Sequence, residues 1–204
     1  MILRLITLCL CLLLTACATM PAKEGARNEN LSWPQRQKQL NSITAWHLTG
    51  ALAYHNAASG QSASVVWQQT ARDYQINLFG PLGLGRVSLI GTLGQSVTLT
   101  RSGKQYTAHS PEALMQQQLG WHLPVTNLFY WIRGLPAPHL AKTIQFDDYH
   151  HISLLQQQGW TITYQRYTAI ANLDLPSKLT LENNRLGAKI VISQWQFPDA
   201  HKID

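Results

Sequence analysis

Residues 147 to 151 read Asp147-Asp148-Tyr149-His150-His151, the densest run of titratable side chains in the sequence, and carboxylates beside imidazoles are common metal ligands. The spacing argues against a metal centre. Neighbouring residues on a strand point to opposite faces, so His150 and His151 would not converge on one ion, and the run reads as a solvated loop entering a strand. A nucleotide site fares no better. Gly83-Leu84-Gly85 lacks the later glycine of a dinucleotide fingerprint, and no GxxxxGK[ST] phosphate loop occurs, so the chain has no means of spending ATP. A GxSxG nucleophile elbow is also absent. Nothing local favours a Ser, His, Asp triad, whose members can come from anywhere in a chain. The expectation is a non-enzyme without metal or cofactor.

A different chemistry is written at the start. Residues 1 to 18 carry one positive charge at Arg4, an apolar run from Leu5 to Leu14, and then Leu14-Thr15-Ala16-Cys17. The run is shorter than the roughly 20 apolar residues a membrane-spanning helix needs, so it reads as an export signal. Leu14 to Cys17 resemble the lipobox of bacterial lipoproteins, in which the cysteine is thioether-linked to a diacylglycerol, the peptide is cut before it, and the new N-terminus is acylated. Cys9 and Cys11 would leave with the signal, and Cys17 would carry lipid. No internal disulfide could then form, and the domain must rest on its apolar core.

The expected organisation is a signal over 1–16, a lipidated N-terminus and flexible tether over 17–31, and one domain over 32–204. The tether is small and polar, with a root-mean-square reach of roughly 20 Å. The sequence has 204 residues and a formal net charge of +6. Loss of Arg4 with the signal leaves 15 Lys and Arg against 10 acids, a net of +5. A modest positive charge favours anionic membrane surfaces. Basic residues scattered singly do not point to nucleic acid.

The elements that would position a site follow from periodicity. Ser32 with Pro34 marks a helix start, running to about Ile43. From there the period is two: Trp46, Leu48, Gly50, Leu52 and Tyr54 share a face, and the alternation returns in Tyr74, Ile76, Leu78, in Val87 and Leu89, in Val97 and Leu99, in Ile152 and Leu154, in Trp160, Ile162, Tyr164, and in Ile190 and Ile192. Linkers at Ala58-Ser59-Gly60, Gly80-Pro81, Gly91 to Gly94, Ser102-Gly103, Gln158-Gly159 and Asn183-Asn184 imply an antiparallel meander. About nine to eleven strands with one dry face would curl into a closed or nearly closed barrel. Two helices interrupt them, one opening at Ser110-Pro111-Glu112 and one spanning Pro124 to Arg133 before Gly134. They read as a lid over one mouth. Trp46, Trp67, Trp131, Trp160 and Trp195 lie on or beside the dry stripes, either as plain core or as the lining of a cavity wide enough for acyl chains. Between two strand-like runs, Phe79-Gly80-Pro81-Leu82-Gly83-Leu84-Gly85 is a turn with an apolar tip, odd for a loop meeting only water.

Five segments in order carry a family resemblance: Val66-Trp67-Gln68-Gln69-Thr70; the Pro81-Leu82-Gly83 turn; Trp131-Ile132-Arg133-Gly134-Leu135-Pro136; Gly159-Trp160-Thr161-Ile162-Thr163-Tyr164; and Leu175-Pro176-Ser177-Lys178-Leu179-Thr180-Leu181. Together with the lipobox, and over Trp46 to Trp195, the chain resembles the LolB family, outer-membrane lipoproteins that receive other lipoproteins from the periplasmic carrier LolA. The resemblance implies a mainly β fold: an unclosed antiparallel barrel with a helical lid over a hydrophobic cavity, and no enzymatic activity. It implies that Leu82 at the hairpin tip serves to put cargo into the membrane rather than to bind it. Here the turn is extended, so Pro81, Leu82, Gly83 and Leu84 form the expected insertion loop, with Leu84 a second candidate for the work of Leu82. Residue 18 is Ala rather than the Asp that retains lipoproteins in the inner membrane of enterobacteria, which implies the periplasmic face of the outer membrane. The expected cavity residues are Trp46, Leu48, Trp67, Ile76 and Leu78, with Leu89, Trp131, Trp160 and Ile162. The expected partners are a LolA-type carrier, lipoprotein cargo and outer-membrane lipid, and a monomer is expected. The alternatives are an envelope lipoprotein that binds a hydrophobic ligand without transfer, and a lipid hydrolase, which would need a nucleophile aligned with a base.

Overall fold

The computed structural model describes residues 31–198 other than Ala58 and Leu84, and at Leu82 the backbone alone. The expected signal, Cys17, most of the expected tether and Leu84 lie outside the described residues. Ser32 opens the first helix as its context predicts. Its backbone N–H and its hydroxyl both donate to Gln35 Oε1, at 2.9 and 2.8 Å. Helix α1 (Trp33–Ser42) then runs with Pro34 in its first turn and buries Arg36 and Leu40.

From Ala45 the chain is a meander: β1 (Ala45–Asn56), β2 (Gly60–Thr70), β3 (Asp73–Phe79), β4 (Val87–Thr92), β5 (Val97–Arg101) and β6 (Lys104–Ala108). Two helices follow, α2 (Pro111–Leu119) and α3 (Val125–Trp131). A second meander completes the described chain: β7 (Lys142–Phe146), β8 (Ile152–Gln157), β9 (Trp160–Ile170), β10 (Leu173–Glu182) and β11 (Leu186–Gln196). All eleven strands form one antiparallel sheet in the order β6-β5-β4-β3-β2-β1-β11-β10-β9-β8-β7. Pairing of β1 with β11 joins the two meanders at the centre. The barrel is unclosed, because β6 and β7 are the two edges and the chain between them is helical. None of the described helices is long and apolar enough to cross a membrane.

One face of the sheet is dry between its two edge strands. Trp46, Leu48, Leu52 and Tyr54 of β1, Val65 and Trp67 of β2, Ile76 and Leu78 of β3, and Leu179, Leu181, Ile190 and Ile192 of β10 and β11 are all buried. Two details depart from the periodicity. In β8 the buried pair is Ile152 and Leu155, with Leu154 only half-buried, because Gln145 pairs with Leu154 and Phe146 with Ile152, leaving Ser153 as a bulge that shifts the phase. Gly91 belongs to β4 rather than to a turn. A Cβ there would meet the Tyr74 hydroxyl at 2.7 Å, so glycine makes room for that ring. Gly50 has a stronger constraint. The β1–β11 register slips between Thr49 and Gly50, and a Cβ on Gly50 would lie 2.2 Å from the Val191 carbonyl oxygen.

Candidate functional site

The dry face and the helices enclose an apolar pocket. Its sheet wall is Leu48, Leu52, Val65, Trp67, Ile76, Leu78 and Ile190, and its helical wall is Met115 of α2, Leu123, Val125 and Leu128 around α3, and Ile132 just beyond it. The enclosed volume is about 40 Å³. That holds only a few water-sized groups, whereas pockets that bury a drug-sized ligand run to roughly 300–1,000 Å³. Among the residues expected at a cavity, Leu48, Trp67, Ile76 and Leu78 line this one. Trp46, Leu89, Trp131, Trp160 and Ile162 belong to the same hydrophobic core without lining it. Trp46 sits at the middle of an aromatic cluster, 4.9 Å from Trp67, 5.5 Å from Trp195 and 6.2 Å from Phe129 between ring centroids.

The two halves of the helical wall are held differently. At the far end of α3 the fastenings are buried and polar. Trp131 Nε1 and the Ala137 N–H both donate to Gln157 Oε1 at 2.8 and 2.9 Å, Gln157 Nε2 donates to the Ala137 carbonyl, and Tyr164 donates its hydroxyl to the Trp131 carbonyl at 2.8 Å. Burial pushes the Tyr164 phenol well above its ordinary value, so it is a neutral donor at physiological pH. Arg133 reaches across to α1. Its guanidinium donates to the carbonyls of Ile43 at 2.7 Å, Leu40 at 3.3 Å and Phe129 at 3.2 Å, and lies 4.6 Å over the Phe129 ring. Burial lowers its pKa to about 10, which leaves it charged at neutral pH. Near α2 the links to the sheet are long or exposed: Tyr54 hydroxyl to the Gly120 carbonyl at 3.4 Å, Trp121 Nε1 to Gln61 Oε1 at 3.3 Å, and exposed Arg101 to the Gln118 carbonyl. The segment from Pro111 to Leu123 thus has weaker polar ties to the sheet than Trp131 to Ala137, and is held mainly by apolar packing, with the Trp121 ring stacked on Tyr54 at 5.2 Å.

The β3–β4 connection leaves the sheet beside the Pro111 to Leu123 segment. Gly80 to Gly83 form a tight turn, with the Gly83 N–H donating to the Gly80 carbonyl at 3.0 Å and Pro81 at the position that favours its fixed φ. Gly83 and Gly85 take φ of 77° and 69°, the left-handed region glycine reaches without strain. Pro81, Gly83 and Gly85 are exposed. A groove of about 510 Å³ runs between this loop and the end of α2, and shares Leu78 with the dry pocket.

The Asp147 to His151 run does something its sequence does not disclose. His150 is exposed in a turn at φ 60° and His151 is buried just before β8; neither lies on a strand, so the turn rather than strand alternation separates them. His151 Nδ1 lies 2.9 Å from Asp147 Oδ2, and Nε2 lies 3.3 Å from Asp174 Oδ2. That second carboxylate accepts from Arg36 Nη1 at 2.6 Å, and Tyr167 stacks on the imidazole at 4.3 Å. Burial alone would raise the Asp174 carboxyl, but the hydrogen bonds from His151 and Arg36 outweigh it and hold it below the ordinary carboxylate range. Both ring nitrogens are engaged by carboxylates, so the group fastens α1 to β10 and to the turn before β8, with the His151 ring buried between them. Local sequence shows the two aspartates beside His151, but Arg36 and Asp174 lie far away in the chain and come together only in the fold. Among the described residues no three His, Cys, Asp or Glu side chains form a candidate metal site.

Comparison with known proteins gives these features a context. Residues 44–195 match the family model described as outer membrane lipoprotein LolB. The outer-membrane lipoprotein LolB of Coxiella burnetii is 42% identical over 91% of this chain and 89% of its own length. That of Chromohalobacter salexigens is 38% identical over 91% and 86%. The fold also resembles the crystal structure of a LolA superfamily protein from Nitrosomonas europaea, with a TM-score of 0.55 at 7% identity, covering 83% of this chain and 94% of the other. Family model and relatives agree, and the chain belongs to the LolB family of outer-membrane lipoproteins.

Proposed function

We propose that this protein receives lipoproteins from a LolA-type periplasmic carrier, shelters their acyl chains between sheet and helices, and inserts them into the inner leaflet of the outer membrane. A bare 16-carbon chain costs on the order of 12 kcal/mol to hold in water, at about 0.8 kcal/mol per CH₂. No such molecule crosses an aqueous space unaided. The observation that carries the proposal is a wholly apolar pocket walled by the sheet on one side and by the helical segments on the other.

At about 40 Å³ the pocket is closed against an acyl chain, so entry requires the α2 half of the lid to swing away while Trp131 to Ala137 stays fastened. Met115 and Leu123 then leave the sheet, and the incoming chain takes their place against Leu48, Trp67, Ile76 and Leu78. Exchanging one apolar contact for another keeps the step nearly balanced. Direction comes from successive downhill transfers, carrier to receptor and receptor to bilayer, without nucleotide and without covalent catalysis. Lipid on Cys17 anchors the domain at the periplasmic face, and the Pro81 to Leu84 loop enters the bilayer at delivery. One inserted leucine is worth roughly 1.5–3 kcal/mol, enough to perturb or orient but not to anchor.

The deciding experiment mixes the carrier, loaded with a labelled lipoprotein, with this chain made from residue 17 with Cys17→Ala, and follows the label by pull-down. Movement of the label onto this chain is the expected result. Label that stays on the carrier, with the acceptor shown to be folded, overturns the receptor role.

A further inference from the structure

Exposed positive charge with little acid beside it is concentrated at one end of the sheet. Strand pairing sets Lys142 opposite Gln157, Glu182 opposite Gly187, Val87 opposite Arg101, and Arg101 opposite Lys104. The β3–β4, β5–β6, β8–β9 and β10–β11 turns therefore share one end. Arg86, Arg101, Lys104, Lys142 and Arg185 stand there, all exposed. Glu182 is the only carboxylate at that end among the described residues. The opposite end is mixed: Asp73, Asp147, Asp148 and the buried Asp174 stand there with exposed Arg72 of the β2–β3 turn and with α1, which brings buried Arg36 and exposed Lys38.

None of the five rim cations forms an ion pair among the described residues. Neutral groups steady two of them instead. Arg86 Nη2 donates to Asn77 Oδ1 at 3.0 Å with its guanidinium 5.6 Å over the Phe79 ring, and Arg101 donates to the Gln118 carbonyl at the end of α2. Both arginines are thus aimed beside the Pro81 loop with their charge intact. A loop with exposed proline, ringed by unneutralised cations, matches the layering of a membrane surface, with phosphate at the level of the ring and hydrocarbon beyond it.

We infer that this end docks on anionic phospholipid headgroups, the class represented by phosphatidylglycerol, through Arg86, Arg101, Lys104, Lys142 and Arg185. Attraction at this end turns the pocket mouth and its loop toward the bilayer before anything inserts. The inference rests on the proposed membrane-facing role of that loop and adds the lipid chemistry that would orient it.

The test uses the Cys17→Ala chain from residue 17, so that no anchor masks weak binding, and vesicles of phosphatidylcholine with and without phosphatidylglycerol. The expected result is binding to the anionic vesicles that is lost at 1 M salt, where the Debye length falls to about 3 Å. Lys104→Gln with Arg185→Gln should weaken it roughly 30-fold, about 1 kcal/mol per cation removed. Lys38→Gln with Arg72→Gln makes the same change in net charge at the opposite end and should leave binding within about twofold of the parent. Equal losses in both variants, or equal binding to the two kinds of vesicle, would overturn the inference. So would a rim variant that binds vesicles normally but no longer captures the carrier, because the rim would then serve a protein. Acceptance of cargo in vesicle-free solution is read alongside. Failure of the parent there removes the receptor role without touching the vesicle result.

Discussion

Met115→Ala isolates the α2 half of the lid. Met115 is buried on α2 and contacts the sheet across the dry pocket, where truncating a buried methionine costs about 2–5 kcal/mol. The side chain already borders a small void, so the low end applies, about 2–3 kcal/mol. If α2 opens on its own, that loss falls on the closed state alone and raises the open population about 30- to 150-fold, at 1.4 kcal/mol per tenfold. Apparent affinity for a fatty acid scales with the fraction competent to bind, so a fluorescent acyl probe should bind more tightly by up to that factor. Amide exchange over residues 111–119 should quicken by the same ratio, while amides of β1 and β11 keep their protection apart from any small global change. The refuting result is unchanged exchange in α2 and unchanged probe affinity, with a global unfolding free energy lower by the full 2–3 kcal/mol. That outcome would mean α2 leaves the sheet only when the protein unfolds, and no acyl chain could enter by the route described.

Leu82→Glu should leave thermal stability and cargo acceptance at parental levels yet stop delivery to liposomes, because a carboxylate resists burial in lipid; delivery at the normal rate would remove the insertion role. Gly50→Ala forces a methyl group against the Val191 carbonyl, and should lower stability by at least about 2–3 kcal/mol in urea titration, more than alanine costs at an unconstrained strand glycine. Asp174→Asn strips a buried guanidinium of its carboxylate and should cost about 3–5 kcal/mol. In the parent, the folded-state Asp174 carboxyl lies below its unfolded value, so its contribution is complete at neutral pH and disappears as pH falls through the acid range, from about pH 5 downward. Urea midpoints across that range should show Asp174→Asn losing less stability on acidification than the parent; parallel curves would sink this assignment.

Much of the architecture was legible because burial on one face of a strand imposes a period of two. The α1 start was readable for a related reason, since Ser32 and Gln35 satisfy each other locally. Edge strands escaped periodicity. The residues of β6 and β7 are exposed or half-buried, so no dry stripe marks them, and β6 could be inferred only from the Ser102-Gly103 turn. The Ile152 and Leu154 pairing failed at one bulge, a backbone event with no distinctive residue to announce it.

The site divides along the same line. Which side chains are apolar, and that an apolar turn interrupts the sheet at Pro81, are properties of local sequence. That Leu48, Trp67, Ile76 and Leu78 line the pocket while Trp46, Leu89 and Trp131 pack as core depends on where α2 and α3 lie across the sheet. The Arg36, Asp174 and His151 network and the basic rim have the same origin. They join residues far apart in the chain whose proximity is set by strand register, and register is a global outcome of burying one face of eleven strands together.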